Sequence, residues 1–171
     1  MFTQTQVYEK LITLFNRADI EPSWYIDKDA DDNYNAKGLY RPVLDLAIRP
    51  FNTDKNRLDN IMAINDACTR YQSIIDKLIA NGNLDIAFNS NPRCFIAIEC
   101  EDKNSRKHML GSIINASALG KIGILIGMSD ASYRTLIRLR EYMRFLSEQK
   151  DDVINYPKNS VILSVEEFQH L

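Results

Sequence analysis

Val7, Leu11, Leu14 and Phe15 recur at helical spacing, which predicts an amphipathic helix over residues 5–17. The period is lost over 27–38, an acidic, asparagine-rich stretch that reads as a loop. From 39 to 49 the period becomes two. Leu44, Leu46 and Ile48 share one face of a strand, and Arg41, Val43, Asp45, Ala47 and Arg49 share the other. Pro50 is expected to end that strand. Helical spacing returns over 56–80, as one helix or a broken pair, with Leu58, Ile61, Met62, Ile64, Ile74, Ile75 and Leu78 apolar. Asn81-Gly82-Asn83 stops it, glycine being the usual residue past a helix end.

Two β runs, 84–88 and 94–101, flank Asn89-Ser90-Asn91-Pro92-Arg93 and predict a hairpin. Ser105 can cap a helix through Leu119, and Gly120 allows a tight exit. Residues 121–127 are apolar almost throughout, as expected for a strand buried on both faces. A long helix over 129–150 follows, with Leu136, Ile137, Leu139, Met143 and Leu146 inward. Pro157 closes the next loop, and 161–165 is a last short strand. The order α-β-α-β-β-α-β-α-β predicts an α/β fold with a mixed β-sheet flanked by helices, meander strands first and crossover strands later. No repeat, low-complexity segment or domain boundary interrupts it, so residues 1–171 read as a single domain.

Composition sharpens this picture in three places. The 171 residues suffice to bury a core, and 45% hydrophobic with 26% charged residues excludes a disordered chain. No apolar run reaches the ~18 residues a membrane span needs. Met1-Phe2-Thr3-Gln4 lacks the basic-then-apolar start of a signal peptide, so a cytoplasmic location is expected. Cys68, Cys94 and Cys100 contain no CxxC pair, and with only His108 and His170 they make no convincing zinc site. They read as small apolar residues in a reducing compartment. The net charge of −2 and pI near 5.7 exclude a protein that coats nucleic acid through overall charge; any such contact must come from a local patch. The absence of GxxxxGKS/T, GxGxxG and GxSxG leaves nucleotide-driven motors, dinucleotide enzymes and serine hydrolases without support.

The candidate chemistry lies in Phe95-Ile96-Ala97-Ile98-Glu99-Cys100-Glu101. Alternation sends Ile96, Ile98 and Cys100 into the core and Phe95, Ala97, Glu99 and Glu101 to the opposite face. Lys103 joins the acids if the strand runs on. Asp85 beside Ala87, and Asp45 beside Ala47, repeat the pairing of an acid with an alanine. Clustered carboxylates repel one another unless something positive sits between them. Mg²⁺ or Mn²⁺, hard ions that prefer carboxylate oxygen, suit such a set. Against this stands the plainer reading that strands ending in Glu-x-Glu simply face solvent.

Asp85, Glu99-Cys100-Glu101 and Lys103, followed by a helix and an apolar strand, resemble the PD-(D/E)xK nuclease superfamily, which has the restriction-endonuclease-like fold. The resemblance covers roughly residues 39–127. It implies a restriction-endonuclease-like core in which acids bind Mg²⁺ or Mn²⁺, a lysine orients the attacking water, and a DNA phosphodiester is hydrolysed. Two registers fit. One uses Glu101-Asp102-Lys103; the other uses Glu99-Cys100-Glu101, keeps the acids within the strand and Cys100 buried, and is preferred, with Lys103 auxiliary. The upstream metal ligand is Asp45 or Asp85. Asp45, Asp85, Glu99 and Glu101 are thus the candidate metal ligands, and with Lys103 the candidate catalytic set.

Basic residues offer candidate nucleic-acid contacts, against the plainer reading, for Arg106 and Lys107, of a solvated helix face. Arg106 and Lys107 open the helix after the site, where cations oppose the helix dipole, and Arg134 and Arg138 share a face of the long helix. Arg140 and Arg144 repeat that spacing, although pairing with Glu141 and Glu148 explains the row equally well. A lone His108 reads as surface or packing. Two functions follow: a Mg²⁺-dependent endonuclease of the defence or repair type, or a non-catalytic protein on the same fold that acts through binding or oligomerisation. Nucleases of this fold often act as dimers, and a homodimer is compatible with either.

Overall fold

The computed structural model describes residues 2–25, 42–53, 57–82, 87–102, 105–149 and 157–171. Helix α1 (Gln4–Leu14) opens on a capping box in which Thr3 Oγ1 accepts the Gln6 N–H and the Gln6 side chain accepts the Thr3 N–H. A 3-10 turn, Arg17–Asp19, leads into β1 (Ile20–Trp24). There follow β2 (Leu44–Phe51), α2 (Arg57–Arg70), α3 (Gln72–Gly82), β3 (Cys94–Glu101), α4 (Arg106–Leu119), β4 (Gly120–Gly127), α5 (Asp130–Gln149), β5 (Ser160–Ser164) and α6 (Val165–Gln169). No helix among the described residues is long and apolar enough to cross a membrane.

The five strands lie in chain order β1-β2-β3-β4-β5. β1, β2 and β3 pair antiparallel, and β4 and β5 continue the sheet parallel to β3. The expected α/β fold, a mixed sheet flanked by helices, is therefore what the chain adopts. One face packs Leu46, Ile48, Ile96, Ile98, Ile122 and Ile124 against Val7 and Leu11 of α1, Ile64 of α2, Ile75 and Leu78 of α3 and Phe168 of α6. The other packs Ala47, Ala97, Leu125 and Ile162 against Met109, Ile113 and Ala116 of α4 and Leu136 and Met143 of α5.

Small residues set the height of α4 above the sheet. A Cβ on Gly123 would stand 2.9 Å from the Ala116 carbonyl carbon, so the helix rests directly on β4. Its last turn is held by amides from two loops: the Asn89 Nδ2 and Asn159 Nδ2 groups both donate to the Ser117 and Gly120 carbonyls. These bonds satisfy carbonyls that a helix end leaves without internal partners. The chain then enters β4 at Gly120 with no loop between.

Several local expectations are corrected. Of the arm expected at 84–88 to pair with 94–101, residues 84–86 lie outside the described residues; residues 87–93 are not strand, and β3 is flanked instead by β2 and β4. β2 runs through Pro50 to Phe51, because its ladder with β3 shifts register between Ile48 and Phe51. A proline, which has no N–H, is tolerated at such an irregularity. The same shift reverses alternation at the start of β3, so Phe95 packs with Phe15 and Tyr71 while Cys94 joins the α4 side. Leu44 likewise joins Trp24 on the α4 side rather than Leu46.

The helical segment at 57–82 is a pair broken at Tyr71. β1 and α6 were not expected. β1 carries Pro22 at its centre, a residue that an edge strand accepts. α6 is too short to show a period, although Ser164 and Glu167 form a capping box at its start. The loop expected over 27–38 lies outside the described residues.

Candidate functional site

β2 and β3 stop exchanging paired backbone rungs at Leu46 and Ile98. Beyond that point two carboxylates take over. Asp45 Oδ2 accepts the Cys100 N–H at 2.8 Å, and the Glu99 carboxylate accepts the Asp45 N–H. Asp45 and Glu99 therefore stand where the strands begin to part, each tied to the backbone across the gap. Glu101 follows on the same face of β3 as Glu99, with only 2% of its surface exposed against 6% for Glu99.

All three acids open into one cleft of about 890 Å³, at the ends of β3 and β4. Lys107, His108, Ser112 and Asn115 of α4 form one wall. Three helix starts border it: Thr3 and Gln4 of α1, Ser105 ahead of α4, and Ser129 ahead of α5. Ser105 caps α4 through the His108 N–H. Ser129 caps α5 through the Ser132 N–H, while the Ser132 hydroxyl accepts the Ser129 N–H. Helix starts carry unpaired N–H groups and partial positive charge, which favours anionic groups nearby.

Burial governs the protonation of the acids. Glu99 is pushed up to about 8, first by loss of solvent and then by the neighbouring charges of Asp45 and Glu101, against the pull of the Asp45 amide. It therefore holds a proton near neutrality, which reduces the repulsion in the cluster. Glu101 is also raised by burial, opposed by the nearby Ser112 hydroxyl, which donates to the His108 carbonyl at 3.4 Å, and by His108, whose Nε2 lies 3.8 Å from Glu101 Oε1. The Cys100 thiol is pushed up by burial and by the same three acids, and Cys94 by burial alone. With Cys68 they are free thiols. Cys94, fully buried, is a core residue of the expected kind.

The structure thus brings together Asp45, Glu99 and Glu101. Glu99 and Glu101 line the cleft on either side of Cys100, which packs against the α1 side of the sheet. Asp85 and Lys103 lie outside the described residues; among the described residues, Asp45 is the acid that joins the pair. Their donor atoms suit a hard cation, but among the described residues no three Asp, Glu, His or Cys side chains converge closely enough to hold one ion.

Of the basic residues, Lys107 lines the cleft; Arg106, Arg134 and Arg138 are exposed outside its wall. Arg144 pairs with Glu141 at 3.6 Å and Glu148 at 3.3 Å, and Arg140 is buried.

One site residue, Ser112, was missed, and His108, read as surface or packing, is exposed but stands 3.8 Å from Glu101 Oε1. His108 and Ser112 stand one turn apart on α4, facing Glu101. The available signal was a line of polar residues, His108, Ser112 and Asn115, interrupting an otherwise apolar side of the helix. No family model, curated protein or solved structure matches the chain.

Proposed function

We propose that the cleft is a site of metal-assisted phosphodiester hydrolysis acting on DNA, within a restriction-endonuclease-like core. The observation that carries this reading is the meeting of three carboxylates from adjacent strands, two of them almost fully buried, in a cleft bordered by helix starts. Burying like charges together is costly, and a bound cation offsets that cost. That β3 is followed by α4 and β4 agrees with what the family resemblance implies.

Asp45, Glu99 and Glu101 offer the oxygen donors that Mg²⁺ or Mn²⁺ takes, and would hold the ion only on drawing closer together than they stand here; the ion would then supply polarisation of a phosphoryl oxygen and a better water nucleophile at neutral pH. The chain's own residues supply the remainder. Ser112 and His108 orient Glu101. Lys107 and the three helix starts draw the phosphate toward the acids. Glu99, protonated near neutrality, would have to release its proton to solvent before it could ligate a cation, because ligation requires the charged form.

A second reading has its own support. Asp45 is already engaged on the Cys100 amide and Glu99 on the Asp45 amide, so both acids serve as fasteners where the strands part. On that reading the protein acts through binding or oligomerisation without catalysis. Calorimetric titration of the full chain with Mn²⁺, together with a DNA-nicking assay in Mg²⁺ and Mn²⁺, separates the two. Hydrolysis predicts binding and nicking in the wild type, both lost in Glu99→Gln/Glu101→Gln. A wild type that neither binds the ion nor cuts DNA overturns hydrolysis and leaves the second reading.

A further inference from the structure

The outer face of α5 carries a pattern that the cleft does not use. Arg134, Arg138, Glu141, Tyr142, Phe145 and Glu148 fall within about a third of the helix circumference at 3.6 residues per turn, and all six are exposed. Tyr142 is 57% and Phe145 54% exposed, unusual for large rings on a helix whose opposite side is seated in the core through Leu136 and Met143. The charges along the stripe are segregated. Its first half is basic, with Arg134 and Arg138 free of ion-pair partners among the described residues, and Glu148, which Arg144 of the same helix engages at 3.3 Å, marks its far end. α4, which α5 packs beside, adds Ile114, half exposed, to the same outer layer.

We infer that this face packs, antiparallel about a two-fold axis, on the same face of a second copy of the chain. A two-fold crossing near Tyr142 brings the two tyrosines together. It lays Phe145 of one copy against Arg138 of the other, a cation–π arrangement, and sets Arg134 of each copy against Glu148 of the other. A parallel arrangement instead stacks Arg134 and Arg138 on their own images and is repulsive. The arginines and rings would also suit single-stranded nucleic acid, which stacks on aromatics and pairs with cations. Glu141 and Glu148 lie on the same stripe, however, and repel phosphate. They fit a surface that carries its own complementary charges.

The test is sedimentation of the full chain from low to high micromolar concentration, at low and high salt. The wild type is expected to dimerise, more weakly at high salt. Tyr142→Ser/Phe145→Ser should raise the dissociation constant by about tenfold or more, with far-UV circular dichroism unchanged. Arg134→Glu should also dissociate the dimer, and Arg134→Glu/Glu148→Arg should restore it, since exchanging the two charges preserves their complementarity. A wild type monomeric throughout overturns the inference. So does a dimer that withstands Tyr142→Ser/Phe145→Ser, or a charge exchange that restores nothing while the same variants lose binding to a fluorescent single-stranded oligonucleotide.

Discussion

Asp45 Oδ2 accepts the Cys100 amide at 2.8 Å across the point where β2 and β3 part, so one side chain both joins two strands and enters the cleft. The two roles separate by substitution. Asp45→Ala leaves a partly buried N–H without its partner and should cost about 1–3 kcal/mol in urea denaturation. Asp45→Asn retains an oxygen acceptor and removes a negative charge beside Glu99 and Glu101. It should therefore keep wild-type stability or exceed it, while weakening Mn²⁺ binding in calorimetry. Equal destabilisation by both changes would show that charge, rather than the hydrogen bond, holds the strands.

Glu99 gives the chain a pH dependence of unusual sign. Its carboxyl is raised from 4.5 to about 8 on folding, so between those values the native state binds a proton that the unfolded state has lost. Stability then falls as pH rises through this window and levels off above about 8. The total is on the order of a few kcal/mol, and the charges of Asp45 and Glu101 beside Glu99 contribute to it. Chemical denaturation at pH 5, 7 and 9 should show the decline, and Glu99→Gln should flatten it. Saturating Mn²⁺ should reverse the trend, because the ion takes the place of the proton.

The strand holding these acids was legible because its signal is local. Alternation over residues 96–101 needs no knowledge of neighbours, and Glu99 and Glu101 fall on one face as read. Pairing was not legible in that way. β3 was matched with residues 84–88, adjacent in sequence, whereas its antiparallel neighbour is β2, far upstream, and its other edge is taken by β4. Asp45 was recognised as a candidate but not as the acid that meets Glu99, since that meeting depends on a non-local register. Phe95 was misplaced for a related reason: one shift in the β2–β3 ladder reverses which way a side chain points, and composition carries no trace of it. Ser112 was missed, and His108 reads in the sequence as surface or packing, because the value of both lies in facing Glu101 from another layer.

Close packing of α4 should make Gly123→Ala disruptive. The new methyl carbon would lie 2.9 Å from the Ala116 carbonyl carbon, and backbone cannot yield as a flexible side chain does. Overpacking of this kind typically costs about 1–3 kcal/mol. Because the same helix carries Ser112 and His108 over Glu101, the effect should extend to the site. The melting temperature should fall, and Mn²⁺ affinity should fall with it. Ser112→Ala should weaken the ion without lowering the melting temperature as far. A Gly123→Ala protein with unchanged melting would mean that α4 can lift off β4 freely.

Lys107 allows the cleft to be distinguished from the rest of the surface as the route for DNA. It lines the cleft on the first turn of α4, whereas Arg106, one residue earlier, is exposed outside the wall. A lysine that neutralises one phosphate contributes about 0.9 to the slope of log affinity against log salt for duplex DNA. Lys107→Ala should therefore weaken DNA binding and reduce that slope by about one, and Arg106→Ala should change either quantity less. Fluorescence anisotropy with a labelled duplex across a salt series, in Ca²⁺ to prevent cleavage, measures both. Equal effects of the two substitutions would mean that DNA meets the start of α4 from outside, without entering the cleft. A slope untouched by Lys107→Ala would detach this lysine from phosphate altogether.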